Sequence, residues 1–218
     1  MKTIRNAILL LAAGAAGGLA QQWEVGVAGG YRESPGNPVT APGGTATTGF
    51  APGGAFSAYF GQNEGRYFSG EVRYSYLLGD LRIQSGGATT TFSAVTQEVH
   101  YDLLFHTSNK NRVQLFVALG GGVKVFEGTG QEAAYQPLSQ YAYLTKTRTL
   151  KPMGSVGGGV KFAITKRVLL RAEFRDYITP FPTEVITPSQ GATFSRSILH
   201  DFVPMVGVSF GFCPAGPA

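Results

Sequence analysis

The chain has 218 residues and a formal net charge of +5, and only 14% of its residues are charged. A soluble domain usually carries about 25–35% charged residues on its surface, so this composition argues against a domain that water surrounds on all sides. The basic balance does not indicate nucleic-acid binding, because Lys2 and Arg5 belong to a segment that we expect to be removed and the other bases form no cluster in the sequence.

The first predicted element is a secretory signal peptide at residues 1–20. Basic residues open the chain, an apolar run too short to span a bilayer as a helix follows, and small residues precede the expected cleavage site after Ala20. The remaining chain divides into a domain at residues 21–212 and a short tail at 213–218. The single cysteine, Cys213, lies in that tail, so no internal disulfide forms.

Eight segments with the apolar and polar alternation of β-strands follow along the chain. Long and short connections alternate between them. This arrangement is typical of a barrel that crosses an outer membrane, with short periplasmic turns and longer external loops. The long connections are predicted at 33–52, 79–90, 127–150 and 178–198, and the short ones at 61–66, 107–111 and 165–167.

Each segment has an apolar face without charged residues and an opposite face rich in glycine, alanine, serine and charged residues. The second segment, around Phe56 and Phe60, shows this contrast least because Tyr59 lies on its other face. Alternation alone does not decide which face is outside, since a soluble barrel of the lipocalin type turns its apolar face inward. Aromatic residues near the segment ends favour a membrane girdle: Trp23, Tyr31, Phe68, Tyr76, Phe105, Phe174, Phe202 and Phe212.

We therefore predict an all-β fold, an eight-stranded antiparallel up-and-down transmembrane β-barrel. A soluble, exported, lipocalin-like ligand-binding barrel is the alternative. The narrow interior of an eight-stranded barrel is filled by side chains. Five acids and five bases are predicted to form an ion network in this lumen, which we interpret as structural rather than as a selectivity filter or proton path: Glu24, Glu71, Glu98, Asp102, Glu173, Arg73, Lys124, Lys161, Arg171 and Arg175.

Two similar glycine runs, at 120–122 and 157–159, fall on predicted strands with the same facing. They lack the spacing and the following helix of a phosphate-binding loop. We predict that they allow the strands to curve and make room for inward side chains such as Phe116.

The chain resembles the small outer-membrane barrels of the OmpA-like and OmpX-like group over residues 21–212. The most specific match is the assembly signal of the last strand, which stands here as Gly207, Phe210 and Phe212. Met205 departs from that pattern, and further residues follow the final aromatic residue. The resemblance implies a monomer in the outer membrane, surrounded by lipid and inserted by the barrel-assembly machinery.

One fragment, His106-Thr107-Ser108-Asn109, resembles the motif of outer-membrane lipid A deacylases, which are also eight-stranded barrels. That resemblance would make Ser108 the nucleophile and His106 its base. The chain has no acid at the position of that family's third member, and the fragment lies in a predicted periplasmic turn. We expect no enzyme activity, and a lipid A-modifying enzyme is a second alternative. We also predict no cofactor and no metal site, because the three histidines lie on separate elements.

The predicted function is that of a non-enzymatic outer-membrane barrel. Its external loops, such as 34–48 and 187–197, are rich in glycine, proline, threonine and serine and are expected to be flexible. They are predicted to serve envelope integrity or a surface interaction such as adhesion, through an external ligand that the sequence does not identify.

Overall fold

The computed structural model of the protein describes residues 22–63, 65–108, 111–132 and 135–212. The predicted signal peptide and the tail at 213–218 lie outside the described residues. Within the described ranges, no helix is long and apolar enough to cross a membrane. In chain order the strands are β1 (Gln22–Arg32), β2 (Asn37–Ala41), β3 (Gly44–Phe50), β4 (Gly53–Asn63), β5 (Phe68–Leu78), β6 (Leu81–Ser85), β7 (Ala88–Phe92), β8 (Ala94–His106), β9 (Val113–Gly128), β10 (Ala142–Leu144), β11 (Arg148–Ala163), β12 (Val168–Pro180), β13 (Ile186–Pro188), β14 (Thr193–Phe194) and β15 (Ile198–Phe212).

Eight of these strands close into an antiparallel barrel in the order β1, β4, β5, β8, β9, β11, β12, β15. β1 closes it by pairing with β4 on one side and with β15 on the other, so that Val25 lies opposite both Phe60 and Phe210. Each strand neighbours the next barrel strand in the chain, which is the up-and-down order. The predicted fold class is therefore confirmed.

The two ends of the barrel differ in the length of their connections. Short turns join β4 to β5, β8 to β9 and β11 to β12, and β1 begins and β15 ends on the same side. We call this side the turn end. All the longer connections lie at the opposite side, which we call the cap end.

The long connections fold into further β-structure, which we call the cap. A five-stranded sheet has the order β14, β2, β3, β6, β7, and β10 pairs with β13. The prediction that residues 34–48 and 187–197 are flexible is wrong, because these segments contain β2, most of β3, β14 and part of β13. Sparse apolar residues in the connections share one core with the barrel rim; its buried members include Phe50, Leu81, Ile83, Phe92, Phe126, Tyr141, Leu144, Phe181, Val185, Ile186 and Leu199.

The barrel strands turn their apolar faces outward. Val117 on β9 and Leu170 on β12 have 60% and 44% of their surface exposed, whereas Lys124 and Arg171 on the same strands are completely buried. A soluble ligand-binding barrel requires the reverse arrangement. The exposed apolar belt is what hydrocarbon around the barrel would select.

Candidate functional site

The ten residues of the predicted ion network all lie inside the barrel, and each has 6% or less of its surface exposed. They lie there because side chains alternate between the two faces of a strand and these ten occupy the inward positions. Their contacts divide them into three clusters along the barrel.

The central cluster is held by three arginines that share two glutamates. The Arg171 guanidinium lies 2.5 Å from Glu71 and 2.9 Å from Glu173. Arg73 bridges the same two carboxylates, with 2.8 Å to each. Because the planar guanidinium offers several donors, each arginine satisfies more than one carboxylate.

Arg175 extends this cluster toward β8. It lies 2.9 Å from Glu173 and 2.6 Å from Asp102. Asp102 in turn lies 3.3 Å from the ring of His100. The carboxylate of Asp102 therefore connects the inner face of β8 to that of β12.

A separate pair lies near the turn end, where Lys161 contacts Glu24 at 2.7 Å. The cap-end cluster is centred on Lys124, which lies 3.2 Å from Glu98 and 2.5 Å from Asp201. Asp201 also accepts a hydrogen bond from Arg32 at 2.8 Å. Asp201 thus links the lumen to the base of the cap.

The prediction from sequence missed Arg32 and Asp201. Both lie on the inward side of the same two-residue repeats, one residue beyond Tyr31 on β1 and one before Phe202 on β15. Extending the alternation by one residue on each strand would have found them. Ser34, which hydrogen-bonds Asp201, lies past the end of β1, where the alternation carries no signal.

The buried charges balance within each cluster. The turn-end pair has one acid and one base, the central cluster three of each, and the cap-end cluster two of each. Six acids and six bases are therefore buried among the described residues. Buried charges are tolerated when they are paired in this way, and removal of one partner would leave a buried charge uncompensated.

Aromatic rings fill the space around these charges. The Arg171 guanidinium lies 4.7 Å from the ring centroid of Tyr59 and 4.5 Å from that of Phe116. At the cap end, Arg32 lies 4.2 Å from the ring of Phe50, which belongs to the cap core. The ion network and the cap core are therefore in direct contact.

The inward glycines leave room for the charged side chains. A Cβ atom on Gly157 would lie 2.5 Å from Cδ of Arg175, and one on Gly120 would lie 2.1 Å from the carboxylate of Asp102. Phe116 is buried as expected, but the side chains next to Gly120 and Gly157 are Asp102 and Arg175 of the central cluster.

The predicted assembly signal lies at the turn end of β15. Phe210 and Phe212 are on the outer face with 39% and 46% of their surface exposed, and their ring centroids are 5.1 Å apart. Gly207 is inward, where a Cβ atom would lie 2.7 Å from that of Ala28. Phe210 and Phe212 therefore present their rings to the surroundings of the barrel.

The enzyme-like fragment lies at the turn end. The ring Nδ1 of His106 lies 2.9 Å from the carbonyl oxygen of Thr107, and Ser108 accepts a hydrogen bond of 3.0 Å from Arg66. Asn109 lies outside the described residues. These contacts fit a structural role for both side chains.

The other two histidines are far from this turn. His100 is in the lumen, and His200 faces outward on β15, 2.9 Å from Asp176. Among the described residues no group of three or more histidine, cysteine, aspartate or glutamate side chains is arranged to hold a metal ion.

A partly exposed ion pair joins the barrel to the cap. Lys151 donates a hydrogen bond of 2.6 Å to Glu184, and this bond lowers the pKa of that carboxyl. Because both side chains are partly in solvent, the pair contributes little to stability.

No protein-family model and no curated protein matches the chain. Several solved structures are similar to it in fold. Neisserial surface protein A (NspA) has a TM-score of 0.54 and 11% identity, with 88% of this chain and 97% of that chain covered. The outer membrane protein OprG from Pseudomonas aeruginosa has a TM-score of 0.58 and 10% identity, with 88% and 96% covered. A major outer membrane protein from Thermus thermophilus has a TM-score of 0.51 and 12% identity, with 89% and 100% covered. The chain thus has the fold of small outer-membrane barrels, which confirms the predicted resemblance at the level of fold.

Proposed function

We propose that the protein is an integral outer-membrane barrel that conducts no solute, performs no covalent chemistry and presents the cap at the cell surface. This proposal rests on the observation that the barrel interior is blocked in two places. Neutral clusters of buried ion pairs fill the lumen, and a hydrophobic core covers its cap end. A bare pore would need an open interior, which an eight-stranded barrel does not provide.

The exposed apolar belt supports the location in a membrane. Outward positions are uncharged along β9 from Val113 to Val125 and along β12 from Val168 to Phe174. A lysine or arginine at the bilayer midplane of such a face costs about 2–4 kcal/mol. Short turns on one side and a large folded cap on the other fit a barrel with its turn end in the periplasm and its cap outside. Export by a cleaved signal peptide and insertion through the rings of Phe210 and Phe212 are parts of the same proposal.

The cap is the part of the protein that an external partner would meet. The hairpin at one edge of its five-stranded sheet, β6 and β7, carries threonine, serine and glutamine hydroxyl and amide groups, and residues 83–92 are uncharged. Such a surface recognises partners by hydrogen bonding and shape rather than by charge. An ordered cap also loses less conformational entropy on binding than a flexible loop, which favours a surface interaction such as adhesion.

Conductance in planar bilayers tests this proposal. We expect no stepwise current from the purified, folded protein at any voltage that the bilayer withstands, because each charge in the lumen is paired and the cap core excludes water. A porin inserted in the same bilayer is the positive control. Reproducible single-channel steps from the protein would overturn the closed lumen, and with it the proposed function.

A further inference from the structure

Outside the lumen, the charges of the protein are divided unequally between its two ends. The cap end carries six acids and five bases among the described residues: Glu33, Asp80, Glu127, Glu132, Asp176 and Glu184, with Arg82, Lys146, Arg148, Lys151 and Arg196. The turn end carries four described bases and no described acid: Arg66, Arg112, Lys166 and Arg167. The lumen is neutral, so the positive excess of the described residues lies at the turn end. Glu64 and Lys110, which the structure does not describe, have opposite charges.

We call Arg66, Arg112, Lys166 and Arg167 the basic rim. All four are exposed, and they lie on the three different turns that connect barrel strands. Backbone hydrogen bonds fix two of them in place: Ala163 donates to the carbonyl of Arg112 at 2.8 Å, and Gly211 donates to that of Arg167 at 2.7 Å. The positive charges are therefore spread around the barrel rather than gathered in one pocket.

Two guanidinium groups of the rim lie over aromatic rings of the barrel. Arg112 is 4.9 Å from the ring centroid of Phe162, and Arg66 is 5.4 Å from that of Tyr67. Phe162 lies on the outer face of β11, and Tyr67 is exposed in the turn before β5. Aromatic residues at this position mark the boundary between hydrocarbon and headgroups. In a bilayer, Arg112 over Phe162 would thus lie at the depth of lipid phosphates, and Arg66 is on another turn at the same end of the barrel.

We infer that the basic rim binds the phosphate groups of anionic phospholipids in the leaflet at the turn end. This inference rests on the proposed location of the barrel in a bilayer. Guanidinium groups match phosphate oxygens with two parallel hydrogen bonds, which makes phosphate a better partner than water for Arg66, Arg112 and Arg167. Because the rim encircles the barrel at the membrane boundary, it fits several headgroups of a bilayer and not one soluble anion.

The only tryptophan of the chain reports on this region. Trp23 is the second residue of β1, stacks on Phe60 with 5.0 Å between ring centroids, and lies opposite Phe212. The turn that bears Arg66 follows the neighbouring strand β4, and Arg167 hydrogen-bonds through its carbonyl to Gly211 of the other neighbour, β15. The acyl chains of lipids whose phosphates bind Arg66 and Arg167 would therefore lie close to the indole ring of Trp23.

Fluorescence quenching of Trp23 by brominated acyl chains tests the inference. The folded protein is placed in phosphatidylcholine vesicles in which a fixed fraction of lipid is either brominated phosphatidylglycerol or brominated phosphatidylcholine. We expect the anionic lipid to bind at least about twofold more strongly, and the preference to fall as salt screens the charges. Equal quenching by both lipids, or a preference that salt does not reduce, would overturn the basic rim while leaving the barrel in the bilayer.

Matched variants locate the effect. Arg66→Gln, Arg112→Gln, Lys166→Gln and Arg167→Gln together should abolish the preference, whereas Arg82→Gln, Lys146→Gln, Arg148→Gln and Arg196→Gln at the cap end should leave it intact. Excess inorganic phosphate at constant ionic strength should not remove the preference; its removal would point to a site for free phosphate and contradict the inference. If neither brominated lipid quenches Trp23, the proposed membrane location itself fails.

Discussion

Replacing Arg171 by methionine is expected to lower the free energy of unfolding by about 3–5 kcal/mol. Arg171 lies between Glu71 and Glu173 in the central cluster, and its removal leaves three buried acids with two bases. The methionine fills part of the volume between Tyr59 and Phe116 but offers no donor to either carboxylate. The cost therefore comes from an uncompensated buried charge and not from a cavity.

Urea unfolding in phospholipid vesicles, followed by the fluorescence of Trp23, measures this loss. Lys151→Met is the matched control, because it removes a cation from a partly exposed pair with Glu184 and should cost about 0–1 kcal/mol. Adding Glu71→Gln to Arg171→Met restores the balance of charges and should recover part of the loss. A change below about 1 kcal/mol in Arg171→Met would show that the central cluster does not hold the barrel together.

Gly157→Val is expected to lower the fraction of the protein that reaches the closed barrel. The new Cβ atom would lie 2.4 Å from the carbonyl oxygen of Phe174 and 2.5 Å from Cδ of Arg175. Backbone atoms of a paired strand have little freedom to move, and Arg175 is held by two carboxylates. Overpacking of this kind costs about 3 kcal/mol at the upper end of its usual range.

The fraction of folded barrel is measured by the shift in gel mobility between unheated and heated samples. Gly154→Val provides the control on the same strand, since a Cβ atom at Gly154 meets nothing within 4 Å. We expect near-normal folding for Gly154→Val and a clearly smaller folded fraction for Gly157→Val. Equal folding of the two variants would mean that the inward glycines are not needed to fit the central cluster.

The barrel and most of its interior could be predicted from the sequence because both depend on the alternation of apolar and polar residues along the strands. In a strand, successive side chains point to opposite faces, so the position of Arg171 relative to Leu170 fixes which of them is buried once the outer face is known. The same rule predicts that Arg32 and Asp201 are inward, but only if the strands are extended past Tyr31 and before Phe202. The ends of elements are where alternation is weakest, and the two residues were missed there.

The cap could not be predicted in the same way. Its strands are short, and glycine, proline and threonine between them are equally typical of flexible connections. The signal that distinguishes them is long-range: Val39, Ile83 and Leu144 come from three different connections and share one core. No local pattern in any one connection reveals a core to which each contributes only a few side chains.

The outward position of the apolar faces is tested most directly by nitroxide labels on the folded protein in lipid vesicles. With Cys213→Ser as background, labels at Val117→Cys and Leu170→Cys probe the belt, and a label at Thr89→Cys in the cap is the water-exposed reference. We expect frequent collisions of the belt labels with dissolved oxygen and few with a water-soluble nickel chelate, and the opposite ratio at position 89. Belt labels that meet the nickel chelate as often as the cap label does would contradict a barrel whose apolar faces lie in lipid.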